Sequence, residues 1–283
     1  MKNFVASLFV DGFVFLEGPR WFDGHLWVSD LMGKTVYRIA EDGTRTAMAK
    51  VAQRPSGLGF LPDGTPLIVS MQDRRVYKLL AGELVLHADL SASAHGDLND
   101  MVVDRDGRAY VGNLGFDIFA GEAPSPGKIF LIEPDGSFRV AADGLALPNG
   151  AVITPDGQHF VVAESFAGKL THFDRAANGD LSNARCYAEL PERIPDGICL
   201  DVDGNIWVAE FGGGQFSLID TQGEVIAVVD VRPHAAVACQ LGGTDDRTLY
   251  CLVYPGAIPD IAQGIPGGRI DVARVTARAA GSP

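Results

Sequence analysis

Six times along this chain an apolar stretch enters an aspartate turn and a second apolar stretch leaves it, in residues 18–30, 55–71, 98–113, 148–164, 195–210 and 238–253. The first five turns are Asp-Gly and the sixth is Asp245-Asp246. Measured between Asp23, Asp63, Asp106, Asp156, Asp203 and Asp246, the spacings are 40, 43, 50, 47 and 43 residues. That period belongs to propeller blades, four-stranded sheets repeated around an axis. Further strand pairs follow the hairpins, in 36–48 around Asp42-Gly43, 76–87 around Gly82, 129–140 around Asp135-Gly136 and 216–229 around Gly223. Val, Ile, Leu, Phe and Tyr alternate in these strands, and the pattern reads as an all-β chain, a six-bladed β-propeller. Thirty-four glycines among 283 residues, about 12% where roughly 7% is ordinary, suit so many tight turns. No linker or composition break divides the chain, so one domain over residues 1–283 is expected. A spare strand at 5–10 would pair into the last blade and fasten the ring.

Composition limits the partners. At 47% hydrophobic and 21% charged the chain is of the soluble globular kind, without an apolar run of the roughly 18 residues a membrane helix needs. Lys and Arg number 23 against 36 Asp and Glu, a formal charge of -13 that repels phosphate backbones and anionic lipid. Neither nucleic acid nor membrane is expected as a partner; a small-molecule substrate is, for a monomer or small homo-oligomer. Cys186, Cys199, Cys239 and Cys251 lack the close spacing of zinc or redox motifs, which suggests reduced thiols in a cytoplasmic protein. The N-terminal apolar stretch is too short for a signal peptide.

The first strand of a propeller blade lines the central channel, so matching positions of the repeats should meet around one axis. Seven residues before the turn aspartate stand Ser56, Asn99, Asn149, Asp196 and Cys239 in repeats two to six; six before it in the first stands Glu17. Two carboxylates and two amide oxygens, from Glu17, Asn99, Asn149 and Asp196, would make a hard-oxygen site for one divalent ion. Calcium, magnesium and manganese suit it, as does zinc in a mixed site. Taken singly, Asn-Gly and Asp-Gly are turn formers. Here each repeat already has its turn seven residues on, and the polar residue opens a strand otherwise built of Val, Ile and Leu. A channel-facing carboxylate is costly to desolvate, and a shared cation removes that cost. Asn99 could touch substrate instead of metal.

The segments Leu16-Glu17-Gly18-Pro19, Leu98-Asn99-Asp100-Met101-Val102-Val103-Asp104, Leu147-Pro148-Asn149-Gly150 and Pro195-Asp196-Gly197-Ile198-Cys199-Leu200-Asp201 carry a resemblance. With them the chain resembles the SMP-30/gluconolactonase/LRE-like family of regucalcin-type and bacterial sugar lactonases, from about Phe15 to Val253. The resemblance implies a catalytic divalent metal at the channel mouth, with Glu17, Asn149 and Asp196 as ligands. Asn99 matches a residue near metal and substrate, and Asp100 its neighbour in the substrate pocket. The chemistry that fits is metal-dependent opening of a lactone by water, the metal polarising the carbonyl and acidifying the water. Asp196 would act as general base and Asn99 would hold the oxyanion. No serine machinery competes, since Arg54-Pro55-Ser56-Gly57 lacks the first glycine of a nucleophile elbow.

Sugar lactonases of this family often carry Arg two residues before the Asn99 equivalent, where this chain has Asp97. An acceptor replaces a donor, which brings forward a less polar lactone, a phosphotriester or another carbonyl substrate; a non-catalytic metal- or ligand-binding propeller is the remaining alternative. Asn113, Phe116, Asp117, Phe166, Phe211 and Tyr254 are candidates for the pocket rim or for packing between blades, with Asp97 and Phe116 set beside Asn99 and Asp100 as substrate-binding candidates. Residues 199–210 nearly spell a calcium loop but put Cys199 in the first ligand position, and they read as a β-turn. Gly212-Gly213-Gly214 has no helix after it to receive phosphate. The six histidines show no ligand-like spacing; His95 alone lies close to Asn99 in sequence.

Overall fold

Each repeat folds as an antiparallel sheet whose strands follow one another outward from a common axis, in a computed structural model that describes residues 1–118 and 120–281. Blade one runs through Leu16–Phe22, His25–Asp30, Thr35–Ile39 and Arg45–Lys50; blade two through Pro55–Phe60, Pro66–Ser70, Arg75–Leu80 and Glu83–Asp89. Blades three and four are Leu98–Val103, Ala109–Asn113, Gly127–Ile132, Phe138–Leu145 and Pro148–Ile153, His159–Glu164, Lys169–Arg175, Leu181–Glu189. Blade five is Pro195–Leu200, Ile206–Glu210, Gln215–Ile219 and Val225–Asp230. Blade six has Ala235–Gly242, Thr248–Tyr254 and Gly268–Arg274, and takes its outer strand, Ala6–Phe13, from the start of the chain. The six inner strands neighbour one another in cyclic order, so the β-propeller is closed. The N-terminal strand fastens it as expected, antiparallel to Gly268–Arg274. Lys2–Phe4 adds a parallel fifth strand to blade five, which was not foreseen.

The aspartate turns owe their form to glycine. In blade two the Gly64 N–H meets Leu61 O at 2.8 Å while Gly64 sits at φ +84°, a left-handed conformation that β-carbons oppose, and Asp63 Oδ1 accepts from the Thr65 N–H at 2.9 Å. Between blades the apolar residues of facing sheets form the core, for example Trp207, Phe216, Leu241 and Leu249 between blades five and six. At the end of the channel carrying these turns, residues 278–280 run under blade five, where the Val202 N–H bonds Arg278 O and the Ala280 N–H bonds Leu200 O.

Near the axis the inner strands approach so closely that a β-carbon has no room. One added to Gly150 would stand 2.5 Å from Ile198 N, and one on Gly197 2.3 Å from Ala238 Cβ. The glycines after Asn149 and Asp196 are therefore demanded by the narrow ring. In blade three the same position holds Asp100. Blade six departs from the count of seven residues. Its hairpin is longer, and the register pairs Ala235 with Tyr254 and Ala238 with Leu252, as Pro195 pairs with Glu210 and Ile198 with Val208. Ala236, and not Cys239, is thus the counterpart of Asp196. Cys239 packs with Cys199 and Cys251 in the core between blades, all of them free thiols.

Among the described residues no helix is long and apolar enough to cross a membrane. The described helix, Ile258–Ala262, lies in the connection between the second and third strands of blade six.

Candidate metal centre at the channel mouth

Glu17, Asn99, Asn149 and Asp196 each stand second in an inner strand, next to a residue paired across the blade: Leu16 with Asp30, Leu98 with Asn113, Pro148 with Glu164, Pro195 with Glu210. In blades three, four and five the register slips after this pair, where the second and third residues form a bulge that leaves the ladder; in blade one Glu17 still pairs with Ser29 and the slip follows it, before Arg20. All four side chains consequently line one cavity of about 120 Å³. Glu17, Asn99 and Asp196 are buried, and Asn149 is partly so.

The strand that follows holds these bulges in place. In blades one, three, four and five its last residue, Asp30, Asn113, Glu164 or Glu210, grips the loop entering the inner strand; blade two ends in the short Ser70. Asp30 Oδ1 accepts the Phe15 N–H at 3.0 Å, Asn113 Nδ2 donates to Asp97 O at 3.0 Å, and Glu164 Oε2 accepts the Ala146 N–H at 2.8 Å. Glu210 Oε1 receives Arg193 Nη1 at 2.8 Å. One residue further on, the N–H groups of Leu31, Met71, Leu114, Ser165 and Phe211 bond Phe15, Arg54, Asp97, Leu147 and Ile194 carbonyls respectively. Leu31, Met71, Leu114, Ser165 and Phe211 thereby form a second ring above the first, and all five line the cavity. Phe211 is the member of this ring expected at the rim from the sequence; Leu31, Met71, Leu114 and Ser165 stand at the same step beyond the second strand, and that register is the signal that marks them.

Two buried oxygens in this cavity have no hydrogen-bond partner, Asn149 Oδ1 and Asp196 Oδ1. The other end of the Asn149 amide is engaged: Nδ2 donates to Ser165 Oγ at 3.3 Å, and Ser165 Oγ donates to Pro195 O at 2.7 Å. Glu17 Oε2 accepts its neighbour's Gly18 N–H at 3.2 Å. Burial pushes the Glu17 carboxyl well above the usual carboxylate range, and the Asp196 and Asp100 charges push it further. Asp196 is raised likewise, by burial first and then by Asp100. Three carboxylates thus share the axis with Arg20, whose Nη2 reaches Asp100 Oδ1 at 3.0 Å and also Met101 O, while Nη1 donates to Pro19 O at 2.7 Å. Three negative charges against one guanidinium leave two, which one divalent cation cancels. Unpartnered hard oxygens and an excess of carboxylate are what such an ion would satisfy, so the donor set fits it.

Asn99 lines the cavity, accepts weakly from Ser56 Oγ and donates to Pro148 O, both at 3.4 Å, so its amide keeps a second N–H beyond that bond. Asp100 points at Arg20 and does not line the cavity. Asp97 is buried beside it with Oδ2 unpaired; burial and Asp117 push its carboxyl up to about 6 against the pull of Arg54 and Arg74. Phe116 sits behind Phe166, ring centroids 5.9 Å apart, and only Phe166 lines the wall. Phe211 lines it too, whereas Tyr254 supports Phe15 edge-on at 5.3 Å and Asn113 serves the loop described above. Asp117 Oδ1 accepts the Ala120 N–H at 2.9 Å. His95 is exposed, with Nε2 3.5 Å from Glu122.

Two other places compete and fail on chemistry. A cavity of about 360 Å³ opens at the opposite end of blades three and four, but its ions pair with one another: Asp104 takes Arg108 Nε at 2.8 Å as well as Arg175. His159, His172 and Asp174 on blade four offer ligand atoms within 4.8 Å of one another. Cross-strand register makes this cluster, which sequence spacing could not reveal. Asp174 is already held there by Arg185 at 2.8 Å and Asn183 at 2.9 Å, and a guanidinium at the ligand opposes a cation.

Residues 15–253 match a family described as SMP-30/Gluconolactonase/LRE-like region. Among curated proteins, the regucalcin of Danio rerio is 28% identical over 247 residues, covering 83% of this chain and 81% of that one. The pentonolactonase XacC of Haloferax volcanii is 27% identical over 246 residues, covering 85% and 81%. A calcium-binding protein, regucalcin, from Agrobacterium tumefaciens superposes with a TM-score of 0.84 at 20% identity, over 100% of this chain and 98% of that one. A gluconolactonase from Xanthomonas campestris gives 0.78 at 22% identity, over 95% and 89%. At these identities the solved structures speak for the fold.

Proposed function

The chain belongs to the SMP-30/gluconolactonase/LRE-like family, and we propose that it is a divalent-metal-dependent hydrolase that opens a lactone with water. The observation that carries this reading is the pair of buried, unpartnered oxygens, Asn149 Oδ1 and Asp196 Oδ1, in one cavity with Glu17. The lactonase relatives supply the reaction class.

Glu17, Asn149 and Asp196 would hold the ion. A divalent cation bound there polarises an ester carbonyl and lowers the pKa of water. Asp196 has one oxygen to spare for a proton, takes it from the attacking water as general base, and returns it to the ring oxygen as the acyl C–O bond breaks, leaving a hydroxy acid. Asn99 directs its free N–H at the carbonyl oxygen, where it stabilises the developing negative charge. Ser165 keeps the Asn149 amide oriented, and Arg20 neutralises Asp100 beneath the site, so neither residue need touch substrate. The apolar ring of Leu31, Met71, Leu114 and Phe211 excludes bulk water and strengthens each of these interactions. Four free cysteines accord with a cytoplasmic location.

The test is a panel of lactones offered to dialysed protein with calcium, magnesium, manganese or zinc added back, with acid release followed by pH-stat. Metal-dependent opening of at least one lactone is expected; no opening with any of the four ions would refute the reading.

A further inference from the structure

Accepting the lactone-opening reading, we propose that the site is specific for lactones bearing an apolar side chain, and that the chain lies along a channel between blades five and six. Five polar residues line the cavity, Glu17, Asn99, Asn149, Ser165 and Asp196, and the rest of the wall is apolar. Of the five, Glu17, Asn149 and Asp196 are committed to the cation and Asn99 to the carbonyl. Ser165 Oγ is used twice, accepting from Asn149 and donating to Pro195 O. Among the described residues the wall therefore keeps no side-chain donor or acceptor for ring hydroxyls beyond the groups assigned to the cation, the proton and the carbonyl. A polyhydroxylated lactone would leave its hydroxyls stripped of water and unpaired, a larger penalty than a missing contact.

The direction of the side chain follows from continuity. Ile194, Phe211 and Ile258 line both the cavity and a neighbouring groove of about 510 Å³ that continues past Gly212, Arg232 and Ala257. At the junction, Ile194 and Ile258 are 37% and 41% exposed, and Phe166 opposite them is 50% exposed. Three large apolar side chains uncovered at one mouth give up solvent contact when an alkyl chain passes between them. Asp97, the acidic replacement noted in the sequence, is not on this wall and offers a hydroxyl nothing.

Two measurements test this. First, kcat/KM is taken along γ-butyrolactones of increasing γ-alkyl length and for glucono-δ-lactone. A rise of about fourfold per methylene is expected over the first several carbons, from the usual transfer energy of a buried methylene, with glucono-δ-lactone poorest. Ile258→Asn and Phe166→Asn should flatten the series. Second, binding of the matching γ-alkyl lactams, which resist hydrolysis, is followed by calorimetry; affinity should climb with chain length and show a negative heat-capacity change. Lactones opened without regard to chain length, or glucono-δ-lactone preferred, would overturn the proposal while leaving lactone opening intact. Lactam affinity that climbs with no lactone opened would sustain the apolar specificity and remove the hydrolytic reading. Flat lactam affinity overturns the proposal whatever the turnover.

Discussion

Asn149 Nδ2 donates to Ser165 Oγ at 3.3 Å, and this contact decides which end of the Asn149 amide faces the cavity. Ser165 in turn is fixed by its own bond to Pro195 O at 2.7 Å. A residue on one blade thus reads the backbone of the next and leaves the unpartnered Asn149 Oδ1 toward the cavity.

Ser165→Ala should release the amide to rotate. Supporting residues of this kind typically change metal affinity by roughly 10- to 100-fold. Calorimetric titration of calcium or manganese into the variant should show a loss in that range, with thermal unfolding nearly unchanged. Unaltered affinity would separate Ser165 from the orientation of Asn149.

Arg20 and Asp100 form a buried pair beneath the site. Arg20→Met strands Asp100 beside Glu17 and Asp196, and leaving one charge of a buried pair alone costs about 3 kcal/mol. Urea unfolding of the ion-free protein should show that loss, and adding Asp100→Asn to it should restore most of the stability. Additive losses in the double variant would mean that the two groups do not interact.

Gly150 has no room for a methyl group, since Ile198 N would stand 2.5 Å from it and Gly197 Cα 2.8 Å. Both obstacles are backbone and cannot rotate away. Gly150→Ala should destabilise the fold by about 3 kcal/mol, at the upper end of overpacking costs, and reduce metal binding by spreading blades four and five. Native stability in this variant would contradict the closeness of the ring.

His87 gives the acid limb of stability a specific contributor. Burial, aided by Lys78 and opposed by Asp135, pulls its pKa from 6.5 to about 4. Between those values the unfolded chain binds a proton that the folded chain refuses, so this group's share of stability is present above 6.5 and is lost as pH falls toward 4. The melting temperature of His87→Gln should fall less between pH 7 and 4.5 than that of the native protein. Equal falls would show that His87 does not contribute.

The blade repeat was legible because most of the hairpins place a glycine at a left-handed turn, and Gly64, Gly107, Gly157 and Gly204 mark the register plainly, while in blade six Asp246 takes that conformation itself. Asn99, Asn149 and Asp196 followed from that register, seven residues before the turn, and Glu17 from the same count shortened by one, because such positions occupy a similar height on the axis. The same count misplaced blade six, where a longer hairpin moves the equivalent position from Cys239 to Ala236. Arg20 escaped notice because its partner Asp100 lies two blades away and stands where other blades have glycine. Ile194, Ile258 and Ile261 escaped because loops, not the repeat, bring them to the mouth.

The most direct measurement strips the protein with chelator and follows turnover of a γ-alkyl lactone as divalent cation is returned in fractions of an equivalent. Turnover should be absent at the start and rise to a plateau at one ion per chain, and Asp196→Asn should show no such rise. Undiminished turnover in the stripped protein, or full activity in Asp196→Asn, would contradict a metal-dependent site built on Glu17, Asn149 and Asp196.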